Sequence, residues 1–219
     1  MSIKFDVASS VAEETTSITL AHTVSASIPR PILVVLIGTR APNGGDLVTN
    51  VTYNGVAMTR AVAYTGTSQE NSFIYYMLNP PTGAAHNIVI TRTGAYASVV
   101  IGLSYGGVDK IGASFANGSS VGTALVQATV VNSFHKSTVV VIPILRGKTD
   151  TLTFDANVTQ RVGVLGSGAP ANQGCIAGAG EWSNGVAGVS TTAGGTFSNS
   201  SIWAVAALEL VEMRTRMIM

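Results

Sequence analysis

Gly102-Leu103-Ser104-Tyr105-Gly106 has the spacing of a nucleophile elbow. That chemistry needs a strand running into a helix, so that a sharp turn lifts the serine hydroxyl toward a histidine and an acid. The residues before Ser104 suit a strand, but Gly107-Val108-Asp109-Lys110-Ile111-Gly112 does not suit a helix. The three histidines, His22, His86 and His135, are dispersed. No two of them have the short spacing that lets one element grip a metal. Asp150 and Asp155 flank Thr151-Leu152-Thr153-Phe154, with too few oxygens close together for a calcium loop. Glu181-Trp182 sets a carboxylate beside an indole between glycine-rich stretches, which could bond and stack a sugar, or could cap a core. A glycosidase needs a second carboxylate at a set separation, which sequence spacing does not give. Cys175 is the sole cysteine, so no intrachain disulfide can form. The sequence thus assigns no catalytic residue, no metal ligand and no cofactor, and the expectation is a protein that is not an enzyme. Trp182, Tyr105 and Tyr75 remain as a candidate interface or ligand platform. Met217 and Ile218 join them from the apolar, basic ending Glu212-Met213-Arg214-Thr215-Arg216-Met217-Ile218-Met219.

The elements that would position these residues are strands. Four charge-free runs, Ile32–Ile37, Val99–Leu103, Val139–Leu145 and Ile202–Leu208, are short and lie near Gly, Pro, Asn, Ser or Thr. Such runs read as strands buried on both faces or deep in a sandwich, because a helix needs ~10 or more periodic residues. Further strands are expected at Thr15–Val24, Phe73–Leu78, His86–Arg92, Thr123–Val131, Asn157–Leu165 and Cys175–Trp182. Leu47–Tyr53 and Val56–Arg60 meet across Asn54-Gly55, a dipeptide that tolerates the two positive φ angles of a type I′ hairpin turn. Ala97–Tyr105 extends the second apolar run and Ser201–Glu212 the last, with Trp203, Val205 and Ala207 on one face and Ile202, Ala204, Ala206 and Leu208 on the other. Pro143 inside Ser137–Leu145 points to a bulge or an edge position, since proline lacks the ladder donor. Ala116–Ser120, Gly166–Pro170 and Thr191–Ser201 read as polar or loop segments. The expectation is an all-β, antiparallel, jelly-roll-like β-sandwich. A single domain would cover residues 15–212, between an N-terminal arm (1–14) and a C-terminal tail (213–219).

Composition narrows the partners. Only 11% of the 219 residues are charged, against roughly 25% in ordinary soluble domains, so the surface must be built from Ser, Thr, Asn and Gly. Such a surface suits a protein packed against neighbours, or one in a harsh medium outside the cell. The 12 basic and 11 acidic residues nearly cancel and form no basic stripe with interleaved aromatics, which argues against a nucleic-acid groove. Arg30, Arg40, Arg60 and Arg92 stand alone and read as solvated. The start, Met1–Asp6, lacks the apolar stretch of a secretion signal. The longest charge-free stretch, Trp182–Leu208, is too polar for a membrane span. The expectation is a soluble chain made in a cytoplasm.

Several segments in this order resemble a β-sandwich module that recurs in phage virion proteins and in large bacterial surface or secreted proteins. They are Ser17–Val24, Val51-Thr52-Tyr53-Asn54-Gly55-Val56-Ala57-Met58-Thr59, Tyr75-Tyr76-Met77-Leu78-Asn79-Pro80-Pro81-Thr82-Gly83, Ser104-Tyr105-Gly106-Gly107-Val108-Asp109, Val139–Ile142, Ala177-Gly178-Ala179-Gly180-Glu181-Trp182 and Trp203–Leu210. The likeness spans residues 12–211 and transfers no catalytic residue. It implies a jelly-roll-like sandwich used for attachment or assembly. With no export signal and no tandem array, the virion form is the nearer likeness. The implied role is a capsid decoration or cement protein, or a head-fibre component, assembled in the host cytoplasm. Its partners would be the major capsid protein, other virion proteins and further copies of itself. The alternative is a carbohydrate- or receptor-binding module of a phage tail or a cell-surface adhesin, with a glycan as ligand.

Overall fold

The four apolar runs form inner strands of three stacked antiparallel sheets in the computed structural model, which describes residues 2–66, 69–134, 136–147, 149–167 and 174–213. The middle sheet has the order β1 (Lys4–Glu13), β9 (Ser98–Gly106), β3 (Ile32–Arg40), β7 (Glu70–Leu78), β6 (Thr59–Tyr64). A small sheet covers one of its faces: β2 (Ser17–Thr23), β8 (Ala85–Arg92), β4 (Val48–Tyr53), β5 (Val56–Ala57). A large sheet covers the other: β10 (Val108–Val131), β15 (Ser190–Glu212), β11 (Ser137–Arg146), β14 (Cys175–Ser183), β13 (Thr159–Ser167), with β12 (Leu152–Phe154) added to β15. No helix occurs among the described residues.

Sandwiching from both sides explains the unbroken apolar runs. Successive strand residues point to opposite faces. In β3, Ile32, Val34 and Leu36 enter the core shared with the large sheet, while Leu33, Val35 and Ile37 enter the core shared with the small one. A strand with a core on each side admits a polar residue only where it finds a hydrogen-bond partner, as Thr39 does with the Ala97 carbonyl near the end of β3. β11 and β15 behave likewise, because the large sheet also has a covered far face. There Trp203, Val205 and Ala207 lie opposite the Ala204, Ala206 and Leu208 face, as their alternation indicates.

That far face is covered by the sheet itself. The β10–β15 pairing breaks register between Ser119 and Leu125, and beyond the break Val126, Ala128 and Val130 pack with Val139, Val141 and Leu145. The ribbon has folded back over its own sheet. Two segments that read as polar or loop, Ala116–Ser120 and Thr191–Ser201, are therefore strand. Gly194 and Gly195 lie where β15 passes tightly against its neighbours. A Cβ on Gly194 would fall 2.2 Å from the Val126 carbonyl oxygen, and one on Gly195 2.5 Å from that of Thr153. Those contacts are with backbone, which cannot swing aside. Gly194→Ala is expected to destabilise the chain by about 1–3 kcal/mol in urea unfolding, and an unchanged midpoint would refute the crossing.

Three further expectations are corrected. Residues 4–13 are no free arm: β1 pairs with β9 from Lys4↔Gly106 to Glu13↔Ser98, with a shift between Phe5 and Ala8 that disrupts the alternation. Val56–Arg60 is not one strand. The Asn54-Gly55 turn forms as expected, with φ of 51° and 75°, but the chain leaves the small sheet at Met58 and β6 joins the middle sheet. Pro143 sits on an inner strand and no register shift accompanies it. Its pairing with β15 is continuous, while pairing with β14 lapses at Ile142 and Pro143 and resumes in the same register at Ile144. A missing donor here removes a rung without bending the strand.

Candidate functional site

Polar side chains that could do chemistry gather in the seams between sheets. In the seam of the small and middle sheets, edge strand β1 lays Asp6 and Ser9 beside β9. Gly102 opens the space: a Cβ there would stand 3.1 Å from both His22 Nδ1 and Ser9 Oγ. His22 is 2% exposed, and its Nδ1 is hydrogen-bonded to Ser9 Oγ at 2.7 Å. Burial pulls its pKa down to about 4, against the opposing charge of Asp6, so the imidazole is neutral at neutral pH. Ser104 donates to Asp6 Oδ2 (2.8 Å), which also accepts the Ser25 N–H (3.0 Å). Serine, histidine and acid are thus all present, but wired for structure. Ser104 bonds the acid and His22 bonds a different serine, and a triad needs the histidine between nucleophile and acid. Ser104 is fully buried, and β9 continues through Gly107 (φ 78°) into another strand instead of a helix.

In the seam of the middle and large sheets, Tyr105 meets Phe5 edge-to-face at 5.6 Å between centroids. Arg161 lies 4.2 Å over the Phe5 ring and donates to Glu181 Oε1 at 2.5 Å. Burial pushes the Tyr105 phenol well up, and the charge of Glu181 adds to it. Glu181 is 6% exposed and turned into this seam, while Trp182, the next strand residue, is half-buried against the opposite core. The pair therefore cannot hold one sugar between them.

The expected aromatic platform is not assembled. Tyr105 belongs to the core between the middle and large sheets, Tyr75 to the core between the middle and small sheets, and Trp182 packs on the third. Met217, Ile218 and His135 lie outside the described residues. His86 stacks edge-on against Tyr53 at 5.5 Å, opposite His22 in the β2–β8 register. Asp150 bonds Ser198 and Asn199, and Asp155 bonds Gln127, so both carboxylates fasten the folded ribbon. No cluster of metal-binding side chains forms among the described residues. Cys175 is buried, its thiol pushed well up by desolvation.

No family model, curated protein or solved structure matches this chain.

Two of the four arginines, Arg92 and Arg40, depart from their solvated reading, while Arg30 and Arg60 keep it. Arg92 is 4% exposed and donates to Thr39 Oγ1 (3.2 Å), the Tyr96 carbonyl (2.9 Å), Ser98 Oγ and the Thr15 carbonyl, joining four segments. Arg40 is nearly buried and faces Glu70 across β3 and β7. Arg30 pairs with Asp109 at 2.8 Å and Arg60 with Asp46, both at the surface.

Glu209 was not singled out in the sequence. It is fully buried and accepts the N–H groups of Ala113, Ser133 and Phe134 at 2.8–3.2 Å. Burial alone would raise its pKa, but these bonds, with one from Ser137, hold it below the ordinary value. Its signal was a single carboxylate inside the apolar stretch Ile202–Val211.

Proposed function

We propose that this chain is a non-enzymatic structural protein of a tailed-phage virion. Its best-supported role is a capsid decoration or cement protein, or a head-fibre component, docked on the capsid lattice. The observation that carries this reading is the location of the reactive groups. Ser104, His22, Glu181 and Cys175 are all sealed between layers and held by structural bonds or packing. What faces outward is a rigid, weakly charged β framework. Its accessible surface of 9056 Å² is near the roughly 9,400 Å² expected of a compact monomer of this mass, which suits a block that folds before it assembles. Low charge limits repulsion between adjacent copies. Contacts of ~1,200–2,000 Å² would hold each copy, and repetition over a lattice would add avidity. The virion assignment itself leans on the motif resemblance.

Mass spectrometry of intact, gradient-purified particles of the encoding phage tests the assignment. The expected result is this chain at many copies per particle, and purified protein that cosediments with expanded, undecorated capsids. Its absence from the particles would overturn the reading. The carbohydrate- or receptor-binding alternative has lost Tyr75, Tyr105 and Trp182 as a shared platform. Its remaining support is the outer face of the small sheet.

A further inference from the structure

The small sheet has one face in a core and one in solvent, and β2 alternates strictly between them. Its strands carry a single charged residue, Arg92, and that side chain turns inward. The outer face therefore has no formal charge. The registers Ser17–Thr91–Asn50 and Thr19–Val89–Thr52 lay hydroxyl and amide groups in rows across three strands. Within a row, neighbours are one strand spacing apart (~4.8 Å), and rows repeat every two residues (~6.8 Å). Asn87 and Asn54 close one end, where the Asn54 N–H donates to the Asn87 carbonyl at 3.1 Å. Asn50, Thr52, Asn54, His86, Asn87 and Thr91 line a shallow, open cleft of about 530 Å³, within the ~300–1,000 Å³ of small-ligand clefts.

From this geometry we propose that the outer face of the small sheet binds a neutral glycan. The argument is one of matching chemistry. A phosphate, sulfate or uronate polymer is held chiefly by lysine and arginine, and neither lines this cleft. A cationic partner needs carboxylates, which are equally missing. The apolar side chains here, Val89 and a few alanines among them, are too small to build the desolvated centre of a protein interface. What the face does present is asparagine amides, each with donors and an acceptor, and threonine hydroxyls that do both. Adjacent hydroxyls on a sugar ring ask for that mixture. The groups are also held in place before any ligand arrives. Directly beneath them Ile18, Ile88 and Ile90 are fully buried, so the strands cannot shift and less ordering is needed on binding. The proposal does not depend on the virion assignment.

The test uses the full chain, isotope-labelled, titrated in NMR with neutral oligosaccharides derived from dextran, mannan, galactan and chitin. Polygalacturonate and heparin serve as anionic comparators. At least one neutral probe is expected to bind in the micromolar-to-millimolar range, shifting the amides of Asn50, Thr52, Asn87 and Thr91. The double variant N50A/N87A should weaken that binding roughly ten-fold or more, from the loss of two hydrogen-bonding amides. Both positions are exposed, so its spectrum should stay that of the folded chain. Val121→Ala, on the exposed part of β10, should leave the affinity unchanged. The proposal fails if no neutral probe shifts these resonances at millimolar concentration. It also fails if the shifts map elsewhere, if the double variant binds as before, or if the anionic polymers bind more tightly.

Discussion

Glu209→Ala is expected to destabilise the chain by about 4 kcal/mol, lowering the thermal midpoint by roughly 10 °C. The reason is what the substitution leaves behind. Glu209 satisfies the N–H groups of Ala113, Ser133 and Phe134, which come from a bulge in β10 and from the turn between β10 and β11. An alanine leaves all three donors short of an acceptor in a place water cannot easily reach, and each such orphan costs roughly 1–3 kcal/mol. Gly112 belongs to the same arrangement: a Cβ there would lie 2.0 Å from Glu209 Oε2. Glu209→Gln keeps one acceptor oxygen but turns an amide donor toward the other N–H groups, so its cost should fall between wild type and alanine. The effect also has a pH sign. The folded pKa lies below the unfolded one, so the ionised form contributes its full stabilisation above the unfolded carboxyl value of ~4.3. That contribution is lost as pH falls through the folded value. Urea unfolding of wild type and Glu209→Ala should differ most at neutral pH, and the gap should narrow without closing in acid, because the protonated carboxyl still offers an acceptor that alanine lacks. A neutral-pH difference below about 1 kcal/mol would show that the turn reorganises to find other acceptors.

Which parts of this molecule could be read from its sequence follows from how local the determining forces are. Ile32–Ile37 and Val139–Leu145 were legible because burial on both faces leaves an unbroken apolar run, and no nearby helix period competes with it. The Asn54-Gly55 turn was legible because two positive φ angles in a row restrict the residues that can occupy it. The first half of β15 was not. Glycines usually mark loops, yet Gly194 and Gly195 are glycines because backbones cross there, and a crossing depends on chain segments far away. β1 was missed for a related reason: its shift between Phe5 and Ala8 destroys the two-residue period that announces a strand. The polar seams were the least legible. Ser104 and Asp6 are 98 positions apart, and only the β1–β9 pairing tells which hydroxyl meets which acid. Tyr75, Tyr105 and Trp182 failed as a platform because alternation assigns each aromatic a face of its own strand. Which faces are covered is decided by the stacking of three sheets.

The His22 imidazole makes the fold sensitive to mild acid, and the direction follows from burial. Its pKa falls from 6.5 in the unfolded chain to about 4 in the folded one, chiefly by desolvation. Above pH 6.5 both states hold it neutral and it contributes no pH dependence. Between that value and about 4 the unfolded chain takes up a proton that the folded chain resists, so stability falls as pH falls. A difference of this size amounts to roughly 3 kcal/mol once the lower value is reached. The groups around the ring do not supply the missing partner. Ser9 already occupies Nδ1, Nε2 is buried without a hydrogen-bond partner, and Tyr53 donates to the His22 carbonyl instead of its ring. Asp6 is the nearby charge that favours protonation, and it does not offset the burial. His22→Gln removes the titrating group while keeping a polar side chain opposite Ser9. Near neutral pH it should cost about 1 kcal/mol, for an imperfect replacement of one hydrogen bond. The informative quantity is the slope. Urea-derived stabilities measured from neutral pH down to about pH 4 should fall some 3 kcal/mol further in the wild type than in His22→Gln. The carboxylates and other histidines are common to both chains and drop out of that difference. Parallel curves would mean that the folded protein protonates His22 freely, and the small sheet would then open far more readily than its packing implies.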